Sequence, residues 1–229
     1  MIEKMNQKLF LRELKNLFEE NADAEKARGM ADYMKNRFKF LGLPCPIRDL
    51  IQKELFAVYK PKTAEELEFV IRKLWQMPFR EYHYVACDLL AKNKKMVKDL
   101  SVDFFEYLIE TNSWWDTVDT ICSKAIGPYY EFHKGDYLTE LKSWYQSTDF
   151  WKRRACIIFQ LNCKEYTDLK WMTDRIMENS TSKEFFLQKA IGWALRQYSR
   201  TNSQWVISFV EEHELMPLSK KEALRLLNE

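Results

Sequence analysis

The feature that most constrains this chain is a helical periodicity that runs almost from end to end, broken only by short polar or proline-containing stretches. Apolar residues recur every three or four positions near 3–19, 22–40, 46–58, 63–76, 79–95, 101–111, 114–126, 136–147, 150–162, 167–179, 183–199, 203–213 and 219–227. With 5 Gly and 6 Pro in 229 residues, the chain lacks the turn residues that a many-stranded sandwich or barrel needs. The spacing therefore predicts an all-α fold. Two starts carry a reciprocal capping signal, Thr63 with Glu66 and Ser113 with Asp116. Pro46, Pro61 and Pro78 fall where connections belong.

A weak internal repeat refines this expectation. Tyr82 with Ala86, Trp151 with Ala155 and Phe186 with Ala190 each place an aromatic one turn before an alanine, and the alanines are 69 and 35 residues apart. A small residue at a crossing beside a bulky neighbour suits stacked helical pairs. The spacing resembles a right-handed helical solenoid of HEAT or armadillo-like repeats, which presents a concave face.

A chain of this length can remove roughly 70–75% of its unfolded surface from water. Its 46% hydrophobic and 31% charged residues mark a globular protein, and residues 1–229 read as a single domain. The five cysteines, at 45, 87, 122, 156 and 163, form no CxxC pair, and three histidines complete no zinc pattern, so no metal or other cofactor is expected. Cys87, Cys122 and Cys156 lie in apolar helical patterns, where a thiol packs as a small hydrophobe. An odd cysteine count without an export signal points to a reducing cytoplasm. Lys4, Lys8, Arg12 and Glu13 make the N-terminus unlike a signal peptide. No apolar run approaches the roughly 20 residues of a membrane span.

Net charge is only +2, but it is unevenly placed: residues 149–164 and 183–200 each sum to +3. Such polarity is either two solvated helix faces or a nucleic-acid footprint.

Three segments break the core pattern. On 183–200, Leu187, Ala190, Ile191, Ala194, Leu195 and Tyr198 form a core face, while Lys189, Trp193, Arg196 and Arg200 fall within about 60° on the other side. An indole in a basic stripe suits phosphate and sugar contact; a local cation–π pair or a helix buried on both sides are the alternatives. On 113–120, Trp114, Val118, Ile121 and Ala125 make the apolar stripe, leaving Trp115 and Asp119 one turn apart. An aromatic face beside a carboxylate suits a cationic ligand, and equally describes a partly buried Trp next to a surface Asp. Arg154 stands within the apolar face of Phe150, Trp151, Ile157, Ile158 and Leu161. A guanidinium there requires a carboxylate, with Asp119 a candidate, or a phosphate.

These segments together resemble the AlkD-type DNA glycosylases, DNA alkylation repair enzymes built from HEAT-like repeats. The resemblance runs through Ala31-Asp-Tyr-Met-Lys-Asn, Phe40-Leu-Gly, Ser113-Trp-Trp-Asp-Thr-Val-Asp, Arg154-Ala, Ile157-Ile-Phe-Gln-Leu, the block from Ser182 to Arg196, and Leu218-Ser-Lys. It covers nearly the whole chain. It implies Asp119 as the catalytic carboxylate, Trp115 and Trp193 as the essential indoles and Arg154 as the conserved arginine. Tyr33 matches a tyrosine near the lesion, and Arg196 a contact to the DNA backbone. Lys189 and Arg200 join the expected DNA-binding set from their place on the stripe.

The implied reaction is hydrolysis of the N-glycosidic bond to an N3- or N7-alkylated purine in double-stranded DNA, by a monomer and without a cofactor. Such a base is already cationic and leaves neutral, so the protein must stabilise an oxocarbenium-like sugar rather than protonate the base. Arg154 is expected to hold a phosphate. The competing readings are a non-catalytic module for damaged DNA and a scaffold for a protein partner.

Overall fold

The computed structural model describes residues 6–133 and 137–227; Lys4, the first three residues of the 3–19 segment and Asp136 lie outside it. The fold is all-α. Among the described residues there is no β-strand, only an isolated bridge between Lys39 and Phe79. No helix is long and apolar enough to cross a membrane. The chain divides into two compact units, Met1–Leu100 and Ser101–Glu229.

The first unit contains α1 (Gln7–Glu20), α2 (Ala24–Tyr33), α3 (Cys45–Val58), α4 (Ala64–Trp75), α5 (Arg80–Lys92) and the short α6 (Lys94–Val97). Its core is aromatic and aliphatic, with Phe10, Phe18, Leu14, Leu67, Val70 and Ile71 wholly buried. The caps follow side-chain chemistry. Asp23 accepts from the amides of Glu25 and Lys26, and Thr63 from that of Glu66. Glu66 reaches past Thr63 to the Lys62 amide, so the box closes one residue early. Pro46 sits within the first turn of α3, where its missing N–H costs nothing, while Pro61 and Pro78 lie in connections.

The segment expected as one helix over 22–40 stops at Tyr33. Lys35 and Asn36 take left-handed φ values of 57° and 56°, and the chain then runs extended. A buried carboxylate captures it: Glu81, on α5, accepts from the amides of Leu41, Gly42 and Leu43 at 3.0, 2.8 and 3.2 Å. Gly42 has φ +88°, and a Cβ there would stand 2.0 Å from the Asp23 carbonyl oxygen, so only glycine fits. Beside it the buried Arg80 guanidinium lies 3.7 Å over the Phe38 ring and bonds His83 at 3.2 Å.

The second unit begins with α7 (Val102–Glu110) and α8 (Trp115–Ile121), followed by a π-helical turn (Cys122–Ile126) that runs into α9 (Gly127–Phe132). The segment expected to end at 126 thus continues for a further turn and a half. After α10 (Tyr137–Glu140) and α11 (Lys142–Tyr145) come α12 (Phe150–Ile158), α13 (Leu169–Met177), α14 (Phe185–Tyr198), α15 (Ser203–Glu212) and α16 (Pro217–Ala223). The expected core face of α14 is buried through Leu187, Ala190, Ile191, Ala194 and Leu195. Helix α14 packs on α12 on one side and on α16 on the other.

Candidate active site

The site is assembled in the second unit by α8, α12 and α14. The Ser113–Asp116 capping box does not form. Ser113 donates its hydroxyl back to the Ile109 carbonyl, and Asp116 accepts from its neighbour Thr117, so Trp114 occupies the cap position of α8. Trp114 is anchored instead by packing, edge-on to Trp151 at 5.8 Å and to Phe186 at 5.1 Å. That aromatic wedge joins the first turn of α8 to the starts of α12 and α14. It fixes the phase of α8, with Val118 and Ile121 buried and Trp115 and Asp119 half-buried one turn apart.

Arg154, 3% exposed, turns its planar edge to Asp119: Nε donates to Oδ1 at 2.8 Å and Nη2 to Oδ2 at 2.9 Å. Nη1 donates to the Phe186 carbonyl oxygen on α14. Of the two partners that the sequence left open, the carboxylate is the one engaged. Held in this way, the guanidinium positions Asp119. The fork binds both carboxylate oxygens and so fixes the plane and rotamer of Asp119.

Burial pushes the Asp119 carboxyl above its usual range; the Arg154 hydrogen bonds and charge oppose this, and the nearby Asp116 adds to it. One turn on, burial first and the Asp119 charge second hold the Cys122 thiol well above its ordinary pKa. Cys87, Cys122 and Cys156 are all buried, as their apolar settings led us to expect.

The basic stripe of α14 is only partly free. Glu222, on α16, accepts from Lys189 Nζ at 2.8 Å and from Arg196 Nη1, which also reaches the Glu222 backbone carbonyl at 3.3 Å. The approach depends on Gly192, since a Cβ there would lie 2.4 Å from the Glu222 Cβ. Without DNA, one carboxylate on α16 thus serves both Lys189 and Arg196, and the Lys189 side chain stays 37% exposed. Trp193 is half-buried and Arg200 exposed. Trp193 stands seven residues beyond Phe186, about 10 Å along the axis.

The charge of 149–164 is also largely used inside the unit. Lys152 lies between Glu106 and Glu110, and Arg153 bonds Asn179 at 3.3 Å. Glu222 and the Phe186 carbonyl escaped the sequence reading. The only signal for the former was that Glu222 is the sole carboxylate of α16.

Tyr33, in the first unit, ends α2 with 69% of its surface exposed. It lies at a recess of about 420 Å³ bounded also by Met30, Met34, Phe40, Leu43 and Tyr84. Among the described residues no group of three or more His, Cys, Asp or Glu side chains could hold a metal ion.

Fold and site together define an all-helical protein whose central polar feature is a partly buried carboxylate, oriented by arginine and set one turn from an indole. The chain belongs to the DNA alkylation repair enzyme family, whose model matches residues 14–227. A solved structure of a predicted DNA alkylation repair enzyme from Enterococcus faecalis superposes with a TM-score of 0.79 at 36% identity, covering 90% of this chain and 96% of that one. No curated protein matches. Family membership supports a role in the repair of alkylated DNA.

Proposed function

We propose that the protein is a DNA glycosylase that releases cationic alkylated purines, of the N3-methyladenine and N7-methylguanine class, from double-stranded DNA. The observation that carries this reading is the Asp119 carboxylate, held in both oxygens by Arg154 yet still 17% exposed, one turn from Trp115.

A carboxylate has about four lone-pair sites, and the arginine fork takes two. The two that remain can face a developing cation and a water molecule. In the proposed step the bond from C1′ to the base nitrogen breaks and its electron pair neutralises the alkylated base. The oxygen of water forms the new bond to C1′, and its proton passes to Asp119 or to solvent. Asp119 stabilises the oxocarbenium-like sugar, as a carboxylate does in glycoside hydrolysis. The faces of Trp115 and Trp193 favour the same positive charge. Burial strengthens these interactions, because screening by water falls.

Arg154 acts as a positioning residue for Asp119. Tyr33 and Arg200, both exposed, are proposed as contacts to DNA, and Lys189 and Arg196 as contacts modulated by Glu222. The setting proposed is the cytoplasm, where an exposed thiol such as Cys45 stays reduced.

The test is to incubate the protein with methylated duplex DNA and separate the free base from the polymer. Intact methylated base with matching abasic sites is the expected result. Retention of the base with tight DNA binding would replace a glycosylase by a damage-recognition module.

A further inference from the structure

A second polar feature of the same unit is not used by the chemistry above. At the ends of α12 and α14 lies a pocket of about 260 Å³. At about 30 Å³ for each water-sized group, it holds roughly eight of them, the size of a phosphate and part of its sugar.

Lys164 and Arg200 line it, with Gln197 and Thr201 as further hydrogen-bonding groups. Leu161, Met172 and Ala194 supply apolar wall, and no aspartate or glutamate is among the lining residues. The Asp168 carboxylate caps α13 through the Trp171 amide at 2.9 Å.

The backbone sets this arrangement. Lys164 takes a left-handed φ of 51° at the end of the turn that follows α12, and the Thr167 hydroxyl donates to its carbonyl at 2.7 Å. Arg200 follows the last turn of α14. Unlike Lys152, Arg154, Lys189 and Arg196, neither cation has an ion-pair partner among the described residues. Two exposed cations that converge on one small pocket without a carboxylate repel each other unless an anion lies between them.

We propose that this pocket is a phosphate subsite for the DNA backbone, taking one phosphodiester with its attached deoxyribose. The wall residue Ile157 lies one turn past Arg154 on α12, and Leu161 lies in the turn that follows that helix, so the pocket adjoins the helix that carries the Asp119 clamp. The phosphate held here belongs to a nucleotide near the lesion sugar at Asp119. Lys164 and Arg200 fix the register of the strand, and the apolar wall receives the sugar face. The assignment rests on the reading of the chain as an enzyme acting on DNA.

The experiment measures duplex binding against salt for the wild type, a Lys164→Gln/Arg200→Gln variant and a Lys170→Gln control, whose exposed lysine lies outside the pocket. The duplexes carry a neutral methylphosphonate in turn at each of the three positions on either side of the lesion. Loss of one phosphate contact lowers the salt slope by about one and weakens binding about tenfold near 0.1 M salt.

The expected result is that one methylphosphonate position weakens the wild type and the control but leaves the double variant unchanged. Equal weakening of all three proteins at every position would overturn the subsite while leaving DNA binding intact. No duplex binding by the wild type would overturn the DNA reading as well. Binding of inorganic phosphate at the pocket, with no methylphosphonate effect, would make it a site for a free anion and reject the DNA assignment. Equal melting temperatures of the three proteins exclude a folding defect.

Discussion

Removing the Arg154 side chain gives the sharpest stability prediction. The guanidinium side chain is 4% exposed and that of Asp119 17%, so Arg154→Met leaves a nearly buried carboxylate without its fork. Breaking a buried pair from one side costs ~3–5 kcal/mol, and the residual exposure of Asp119 argues for the lower end, about 3 kcal/mol. For a chain of this size, each kcal/mol moves Tm by about 2–4 °C, so a fall of about 6–12 °C is expected. Asp119→Asn should also destabilise, because it strands the buried guanidinium. The double variant Asp119→Asn/Arg154→Met removes both charges and should be more stable than the sum of the single effects, by about 2 kcal/mol. Denaturant unfolding of the four proteins provides the cycle. Single effects below about 0.5 kcal/mol, or strict additivity, would refute the view that Arg154 and Asp119 form one buried electrostatic unit.

Three further outcomes follow from the same structure. Lys189 and Arg196 hold the Glu222 carboxyl below its usual range, so its contribution to stability is present above pH 4.5 and is lost as pH falls through its lowered folded value. Glu222→Gln should lower stability by about 1 kcal/mol at neutral pH, allowing for solvent at the lysine, and strengthen DNA binding. Unchanged affinity would show that the pair adds nothing to DNA contact. The raised Asp119 carboxyl has the opposite sign. Its protonated form is favoured by the fold, so its contribution is present below pH 3.8 and lost as pH rises through the folded value. Excision should therefore fall on the acid side with a midpoint above 3.8, and a pH–rate profile that is flat down to 3.8 would contradict this. Glu81→Ala should strip three buried amides of their acceptor and cost at least ~3 kcal/mol by denaturant unfolding; a loss below ~1 kcal/mol would show that water replaces the carboxylate.

Local periodicity revealed the all-helical class because it is written in residues three and four apart. The core face of α14, the Thr63 cap and the buried cysteines were legible for the same reason. The early end of α2 was not. The chain that follows is captured at the 41–43 amides by a carboxylate some forty residues away, and between Tyr33 and Phe40 the one local signal is Asn36, with neither glycine nor proline. The Ser113 cap misled because its hydroxyl serves the preceding turn, which a four-residue motif does not reveal.

At the site, the helical wheel isolated Trp115, Asp119, Arg154 and the α14 stripe as residues without a core role. It could place Arg154 against a carboxylate or a phosphate but could not choose, because the choice depends on how α8 meets α12. Glu222 lay further out of reach: its pairing with Lys189 and Arg196 arises only where Gly192 lets α16 approach. Much of the local positive charge therefore proved to be internal bonding, with Lys164 and Arg200 left outward.

If the protein is a glycosylase, Asp119 performs chemistry rather than only holding Arg154. Single-turnover release of methylated base by the wild type and Asp119→Asn, with binding of the same duplex titrated in parallel, tests it most directly. Binding should be retained and the rate of Asp119→Asn lower by about 10²-fold or more, the scale on which one preorganised electrostatic group acts. Equal rates in the two folded proteins would contradict it.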